Sequence, residues 1–295
     1  MTQQTYPAGE DAKVWFITGA SSGFGLRLTE SALARGDFVI ATARTLSKLN
    51  AALQQSSVRL HRMQLDVTDG EDVLEAKLEE AAQVWGRIDV CVNNAGNGIA
   101  GLIEECGSKK LKDQFRTNVF GLLDVTTAVL PQMRKQRSGT IVMFSSRTMW
   151  KPEVPGANLY AQSKASVNAL GETLAVEVAQ FGIKVLIVLP GAFRTNISNG
   201  QVYQGNKIPD YDRMRNGIEA MGGRIRGNQP GDPAKAVEIV VDVVRGEGVA
   251  QGKEWPLYLP LGPDAETAFR GKSQTITKIV DEWGDVIRST NFDPI

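Results

Sequence analysis

The chain has 295 residues, 42% hydrophobic and 22% charged, with 33 basic and 33 acidic side chains. That balance is ordinary for a folded globular protein and offers neither the basic surface of a nucleic-acid binder nor a polybasic segment for anionic lipid. One histidine, His61, and two cysteines, Cys91 and Cys106, argue against a Ser-His-Asp triad, a multi-histidine metal site, a zinc cluster and a disulfide framework.

The stretch from Met1 to Lys13 is polar and lacks the apolar core of a signal peptide. No later apolar run reaches membrane-spanning length, so the expected location is cytoplasmic. Short β-branched runs then alternate with longer helical patterns. Strands are expected at Val14–Ile17, Phe38–Ala43, Val58–Leu65, Ile88–Val92, Thr140–Phe144, Ile183–Leu189 and Trp255–Leu259. Helices are expected at Gly23–Arg35, Leu46–Leu53, Glu71–Trp85, Leu111–Met133, Ala157–Gln180 and Ala234–Val244. Such alternation implies βαβ crossovers, hence an α/β doubly wound Rossmann fold with a central parallel sheet of about seven strands and helices on both faces. Nothing in the composition divides the chain, so residues 1–295 read as one domain. Two parts stand apart in texture: a stretch at about 192–230, rich in Gly, Asn and Pro, that suits a substrate lid, and a C-terminal extension from about 251.

Doubly wound sheets bind ligands at the carboxyl ends of their strands. After the first strand, Thr18-Gly19-Ala20-Ser21-Ser22-Gly23-Phe24-Gly25 puts glycines at a strand–helix junction, where backbone approaches a pyrophosphate and the helix end supplies positive potential. The spacing is GxxxGxG, and Gly19, Ser21, Ser22, Phe24 and Gly25 are the expected contacts. The second strand ends Ala41-Thr42-Ala43-Arg44, with no acid to bond an adenosine 2′-hydroxyl and an arginine able to take a 2′-phosphate, which points to NADP(H). Asn93-Asn94-Ala95-Gly96 closes the fourth strand, as turn chemistry or as a cofactor border. Asn118 lies inside a helical stretch, an unfavourable place unless something uses its side chain. Ser145-Ser146 ends the fifth strand, where a hydroxyl can bond a substrate oxygen. Tyr160 and Lys164 are four apart on one helix face, so the ammonium is expected to lower the phenol pKa toward neutrality.

Together these pieces resemble the short-chain dehydrogenase/reductase family from about Val14 to Thr195, and the tail from Gly231-Asp232-Pro233 onward looks like its larger steroid- and retinoid-handling members. The resemblance implies a catalytic set of Asn118, Ser146, Tyr160 and Lys164. It also implies cofactor contacts at Asp66 and Val67 near the adenine, at Asn93, Ala95 and Gly96, at Tyr160 and Lys164, and at Pro190, Gly191, Phe193 and Thr195 around the nicotinamide. The family serine lies one residue nearer the tyrosine than Ser146 does, so one inserted residue is read between Arg147 and Pro155, and Ser145 remains the alternative.

In the implied reaction NADPH delivers its 4-pro-S hydride to a carbonyl carbon, Tyr160 protonates the oxygen that Ser146 orients, Lys164 holds the ribose, and Asn118 positions a water. No metal is needed. Met149, Trp150, Val154, Leu159 and the 193–221 region are expected either to line a pocket for a bulky, largely apolar ketone or aldehyde or simply to pack among themselves. The remaining alternatives are the same enzyme oxidising an alcohol and a catalytically silent NADP-binding sensor. A homodimer or homotetramer through the helices after the fourth and fifth strands is also implied.

Overall fold

The computed structural model describes residues 11–151, 153–154, 156–199 and 205–292. Tyr203 of the expected lid and Pro155 of the expected insertion fall outside them.

Seven strands form one sheet: β1 Val14–Ile17, β2 Phe38–Ala43, β3 Leu60–Gln64, β4 Val90–Asn93, β5 Gly139–Phe144, β6 Ile183–Pro190 and β7 Tyr258–Leu261. Their order is β3-β2-β1-β4-β5-β6-β7, and every neighbouring pair is parallel. Because side chains alternate along a strand, Val14 and Phe16 enter one core while Trp15 and Ile17 enter the other. Both sets are apolar, as a sheet covered on two sides requires.

Helices α1 Gly23–Ala34, α2 Leu46–Ala52 and α8 Pro233–Arg245 cover one face. In α8 the buried Ala236, Val237, Val240, Val241 and Val244 recur at helical spacing and form its packing stripe. The other face is covered by α3 Glu71–Trp85, α5 Gly121–Gln136 and α6 Asn158–Ala179. Helix α4 Ile103–Phe115 runs into α5 through a π-helical turn, Arg116–Phe120.

Several boundaries move for identifiable reasons. Val58 is exposed in a turn, so β3 starts at Leu60. Pro256 has no N–H to donate, and Trp255 instead gives its indole N–H to the Val185 carbonyl, so the last strand starts at Tyr258. The helix expected from Leu111 begins at Ile103, with a non-helical Gly107 (φ 57°) after its first turn. Two helices were not anticipated. One is α7 Asp212–Ile225, whose Gly217, Gly222 and Gly223 weaken its local signal. The other is α9 Pro263–Arg288, whose first half packs on the body while Ile276, Ile279, Val280 and Trp283 stand exposed further along. Among the described residues no helix is long and apolar enough to cross a membrane.

The rim of the sheet opposite the strand C-termini is tied by one carboxylate. Asp37, fully buried before β2, accepts from the Lys13 N–H at 2.9 Å and the Trp15 indole at 2.8 Å, and pairs with Arg245 at the end of α8 at 2.6 Å. Removing the carboxylate leaves Arg245 with Glu247 as its remaining partner and orphans the buried Trp15 indole N–H and the Lys13 N–H. Asp37→Ala is therefore expected to lose about 3–5 kcal/mol of unfolding free energy, to be measured by urea denaturation against the wild type.

Candidate active site

The strand order reverses between β1 and β4, and the loops that follow them part there to open a cleft. Thr18, at the end of β1, fastens the two sides: its hydroxyl accepts from the N–H groups of Asn94 and Ala95, each at 3.0 Å, while the Asn94 amide donates to the carbonyls of Thr18 (2.9 Å) and Gly19 (3.3 Å). Gly19 has φ +68°, and a Cβ there would lie 3.0 Å from the Ala95 Cα. A Cβ on Gly25 would lie 2.5 Å from the Gly19 carbonyl. Bare backbone is thus what lets the turn close against β4. Ser22, the N-cap of α1, makes no capping bond, and no acid stands in the first turn, so the positive helix end is left to the cleft.

The cleft has a volume of about 1570 Å³, more than the roughly 300–1,000 Å³ of ordinary small-molecule pockets, and so has room for an extended cofactor with a substrate. It is lined by Gly19, Ser21, Ser22, Phe24, Arg44, Asp66, Val67, Ala95, Gly96, Ser146, Tyr160, Lys164, Pro190, Gly191, Phe193 and Thr195, all expected from the sequence. The rings of Phe24, Phe144 and Phe193 stack along one wall, with Phe24 5.2 Å from Phe144 and 5.4 Å from Phe193. Arg44 is exposed at the rim, and among the described residues only its carbonyl is bonded, to the Gln64 amide. Asp66 accepts from the Thr68 N–H and hydroxyl. The bare glycine turn and the open helix end together fit the phosphates of a dinucleotide.

Three expected residues do not line the cleft. Gly25 and Asn93 support it from behind, Asn93 by donating to the Thr126 hydroxyl at 2.8 Å within the core. Asn118 is fully buried, and its amide is engaged on both ends: the oxygen accepts from the Asn97 N–H at 2.9 Å, and the nitrogen donates to the Asn97 carbonyl and the Ser163 hydroxyl, each at 3.0 Å. It sits in the π turn, whose extra residue displaces the side chain from the regular helical ladder. Its amide therefore holds the loop after β4. Asn94, read with its motif but not among the expected cofactor contacts, lines the cleft and bridges to the turn after β1. Gln114, one turn before Asn118, was missed; it clamps the loop after β4 by donating to Asn97 and accepting from the Ile99 N–H at 2.7 Å.

The two adjacent serines separate clearly. The Ser145 side chain turns inward to the Lys164 carbonyl and Asn168. Both serines border the cleft, and it is the Ser146 hydroxyl that acts on the Tyr160 phenol, favouring its ionised form. The expected lowering of the tyrosine pKa does not appear in the protein itself. Burial pushes Tyr160 up to about 12, opposed by the Ser146 hydroxyl, and burial pushes Lys164 down to about 8. The reason is placement: the Lys164 ammonium donates to the Phe144 carbonyl at 2.7 Å and lies 5.6 Å from the Tyr160 ring centre, so desolvation dominates both groups.

The side chains expected around the substrate divide. Met149, Trp150, Val154 and Leu159 do not line the cleft; Trp150 packs its ring 5.2 Å from Phe269, and Leu159 is core. Phe193 and Ile197 do line it, joined by Ile225 from beyond the expected region. Helix α7 docks on the start of α4 through a buried pair, Arg215 with Glu105, and the guanidinium holds the Glu105 carboxyl below its usual range.

Comparison with known proteins agrees with this geometry. The short chain dehydrogenase family matches residues 13–204. Oxidoreductase BOA17 of Botryotinia fuckeliana is 36% identical over 276 residues, covering 93% of this chain and 97% of that protein. The crystal structure of a short-chain dehydrogenase from Streptomyces avermitilis superposes with a TM-score of 0.82 at 39% identity, over 95% of this chain and 100% of the other. The closed form of serine dehydrogenase complexed with NADP+ gives 0.70 at 26% identity, over 85% and 94%. A doubly wound parallel sheet, a glycine turn at its switch point and matches over this length make the chain a member of the short-chain dehydrogenase/reductase family, a nicotinamide-dependent oxidoreductase.

Proposed function

We propose that the protein reduces the carbonyl group of a bulky, largely apolar ketone or aldehyde to the alcohol, with NADPH as cofactor. The observation that carries this reading is that Ser146, Tyr160 and Lys164 line one cleft continuous with the glycine turn and Arg44. Bound NADPH would supply the hydride that adds to the carbonyl carbon. The glycine turn would take the pyrophosphate, Arg44 the 2′-phosphate, Asp66 and Val67 the adenine, and Pro190, Gly191, Phe193 and Thr195 the nicotinamide. The Tyr160 phenol keeps its proton at neutral pH, as a donor to the developing alkoxide must, and Ser146 holds the same oxygen. Lys164 is mostly charged at pH 7, and its buried positive charge favours the phenolate left behind. Asn118 and Gln114 keep the loop after β4 over the tyrosine, where a Cβ on Gly98 would stand 3.9 Å from the Tyr160 ring.

The apolar preference rests on Phe193, Ile197 and Ile225, and the reading includes residues 192–230 as the lid. Reduction is preferred over oxidation because cells keep the NADP pool reduced. Ile103, Phe120, Leu123 and Val176 are exposed on α4–α6, which suits a homodimer or homotetramer through those helices in the cytoplasm.

Arg44→Ala is expected to weaken NADPH binding by roughly 10- to 100-fold and leave NADH unchanged, in tryptophan-fluorescence titrations. Equal NADH and NADPH affinity in the wild type would overturn the cofactor assignment. Across a panel of apolar ketones, Tyr160→Phe should lower kcat by about 10²–10⁴ while NADPH still binds; binding without turnover by the wild type would favour a silent sensor. The buried lysine gives a third expectation. Its pKa falls from 10.5 to about 8 on folding, so the ammonium costs stability at pH below about 8, and the cost disappears as pH rises to 10.5. Lys164→Met should therefore be more stable than the wild type by about 3 kcal/mol at pH 7, with the difference narrowing by pH 10 in denaturation curves.

A further inference from the structure

The C-terminal extension reaches the wall of the cleft through one side chain. Asp264, the second residue of α9, accepts from the Ala192 N–H at 2.8 Å and, through the same oxygen, pairs with the Arg147 Nε at 2.8 Å. Ala192 and Arg147 line the cleft from two separate loops. Ala192 belongs to the turn after β6, next to Gly191, and Arg147 follows Ser146 after β5. A second observation comes from the glycines. A Cβ on Gly191 would fall 1.9 Å from the Asp264 carboxylate, and one on Gly262 (φ +95°) would fall 3.0 Å from the same oxygen. Both glycines are bare where the carboxylate approaches the backbone.

We infer that Asp264 is a positioning residue that holds the Pro190–Gly191–Ala192 turn, and with it the Ser146–Arg147 loop, in the geometry the site needs. The consequence for cofactor affinity rests on the NADPH reading above. The clamp itself belongs to the free protein. The Ala192 N–H has its bond partner on α9, and α9 begins two residues after β7, so the last strand delivers the carboxylate across the tops of β5 and β6. A carboxylate shared by a backbone N–H and a guanidinium fixes both more firmly than a neutral acceptor would.

The test uses the full chain as Asp264→Ala, Asp264→Asn and wild type, with two readouts. In cofactor-free protein, hydrogen exchange of the Ala192 amide should accelerate at least tenfold in the alanine variant and much less in the asparagine variant, whose amide oxygen can still accept. Unchanged exchange in Asp264→Ala overturns the clamp. So does faster exchange throughout the sheet, because that reports general destabilisation. NADPH titration should then show roughly tenfold or greater weakening in Asp264→Ala and recovery in Asp264→Asn. Wild-type affinity in the alanine variant overturns the positioning role. Failure of the wild type to bind NADPH would sink the cofactor reading and leave the exchange result to decide the clamp.

Discussion

The site depends on the parting of β1 and β4 and on how that parting is held. Two parallel strands whose crossovers run in opposite directions leave their following loops with no common neighbour, and unpaired backbone groups there would carry a cost. Thr18 and Asn94 supply the missing partners, through a hydroxyl that accepts two N–H groups and an amide that spans two carbonyls. The glycine turn can then lie flat against β4, with the open end of α1 pointing into the cleft. The phosphate end of the site, the floor beneath it and the stack of Phe24 on Phe144 and Phe193 all follow from that junction.

At the other end of the cleft, desolvation is the dominant effect. Tyr160 and Lys164 share a helix face, but the ammonium is drawn to the Phe144 carbonyl and away from the phenol oxygen. A buried phenol stays protonated, and a buried ammonium loses part of its preference for the charged form. The phenol thus holds its proton at neutral pH, while the ammonium gives its proton up more readily. The polar bonds nearby are spent on geometry: Asn118 and Gln114 on the loop after β4, and Ser145 on the Lys164 carbonyl and the Asn168 side chain of α6.

The later part of the chain encloses the site. Helix α7 is anchored to α4 by the Arg215–Glu105 pair, a costly feature to bury and therefore a specific one. Helix α9 contributes Asp264 to the turn after β6 and Phe269 to the packing of Trp150. Trp150, ten residues before the tyrosine, thus turns toward the C-terminal helix, and the cleft keeps a mixed wall in which Phe193, Ile197 and Ile225 contribute apolar surface.

Much of this was legible in local pattern. Alternating runs specify a parallel sheet because each strand must be apolar on both faces, and the motif residues lie where strands end because only there does backbone meet ligand. Hence sixteen expected residues were found lining one cleft. What local pattern could not decide depends on distance in the chain. Whether Ser145 or Ser146 faces the tyrosine is set by the direction of β5's last side chains against α6. Whether a lysine lowers a neighbour's pKa is set by which oxygen its ammonium reaches. Gln114 and Asp264 carry no motif of their own, because their roles lie in bonds to backbone groups 15 and 72 residues away. The sequence by itself determined the sheet, the family and the chemistry at the strand ends; only the tertiary structure decided which polar groups are used up in holding that chemistry in place, since hydrogen-bond saturation is a property of neighbours that the chain brings together only by folding.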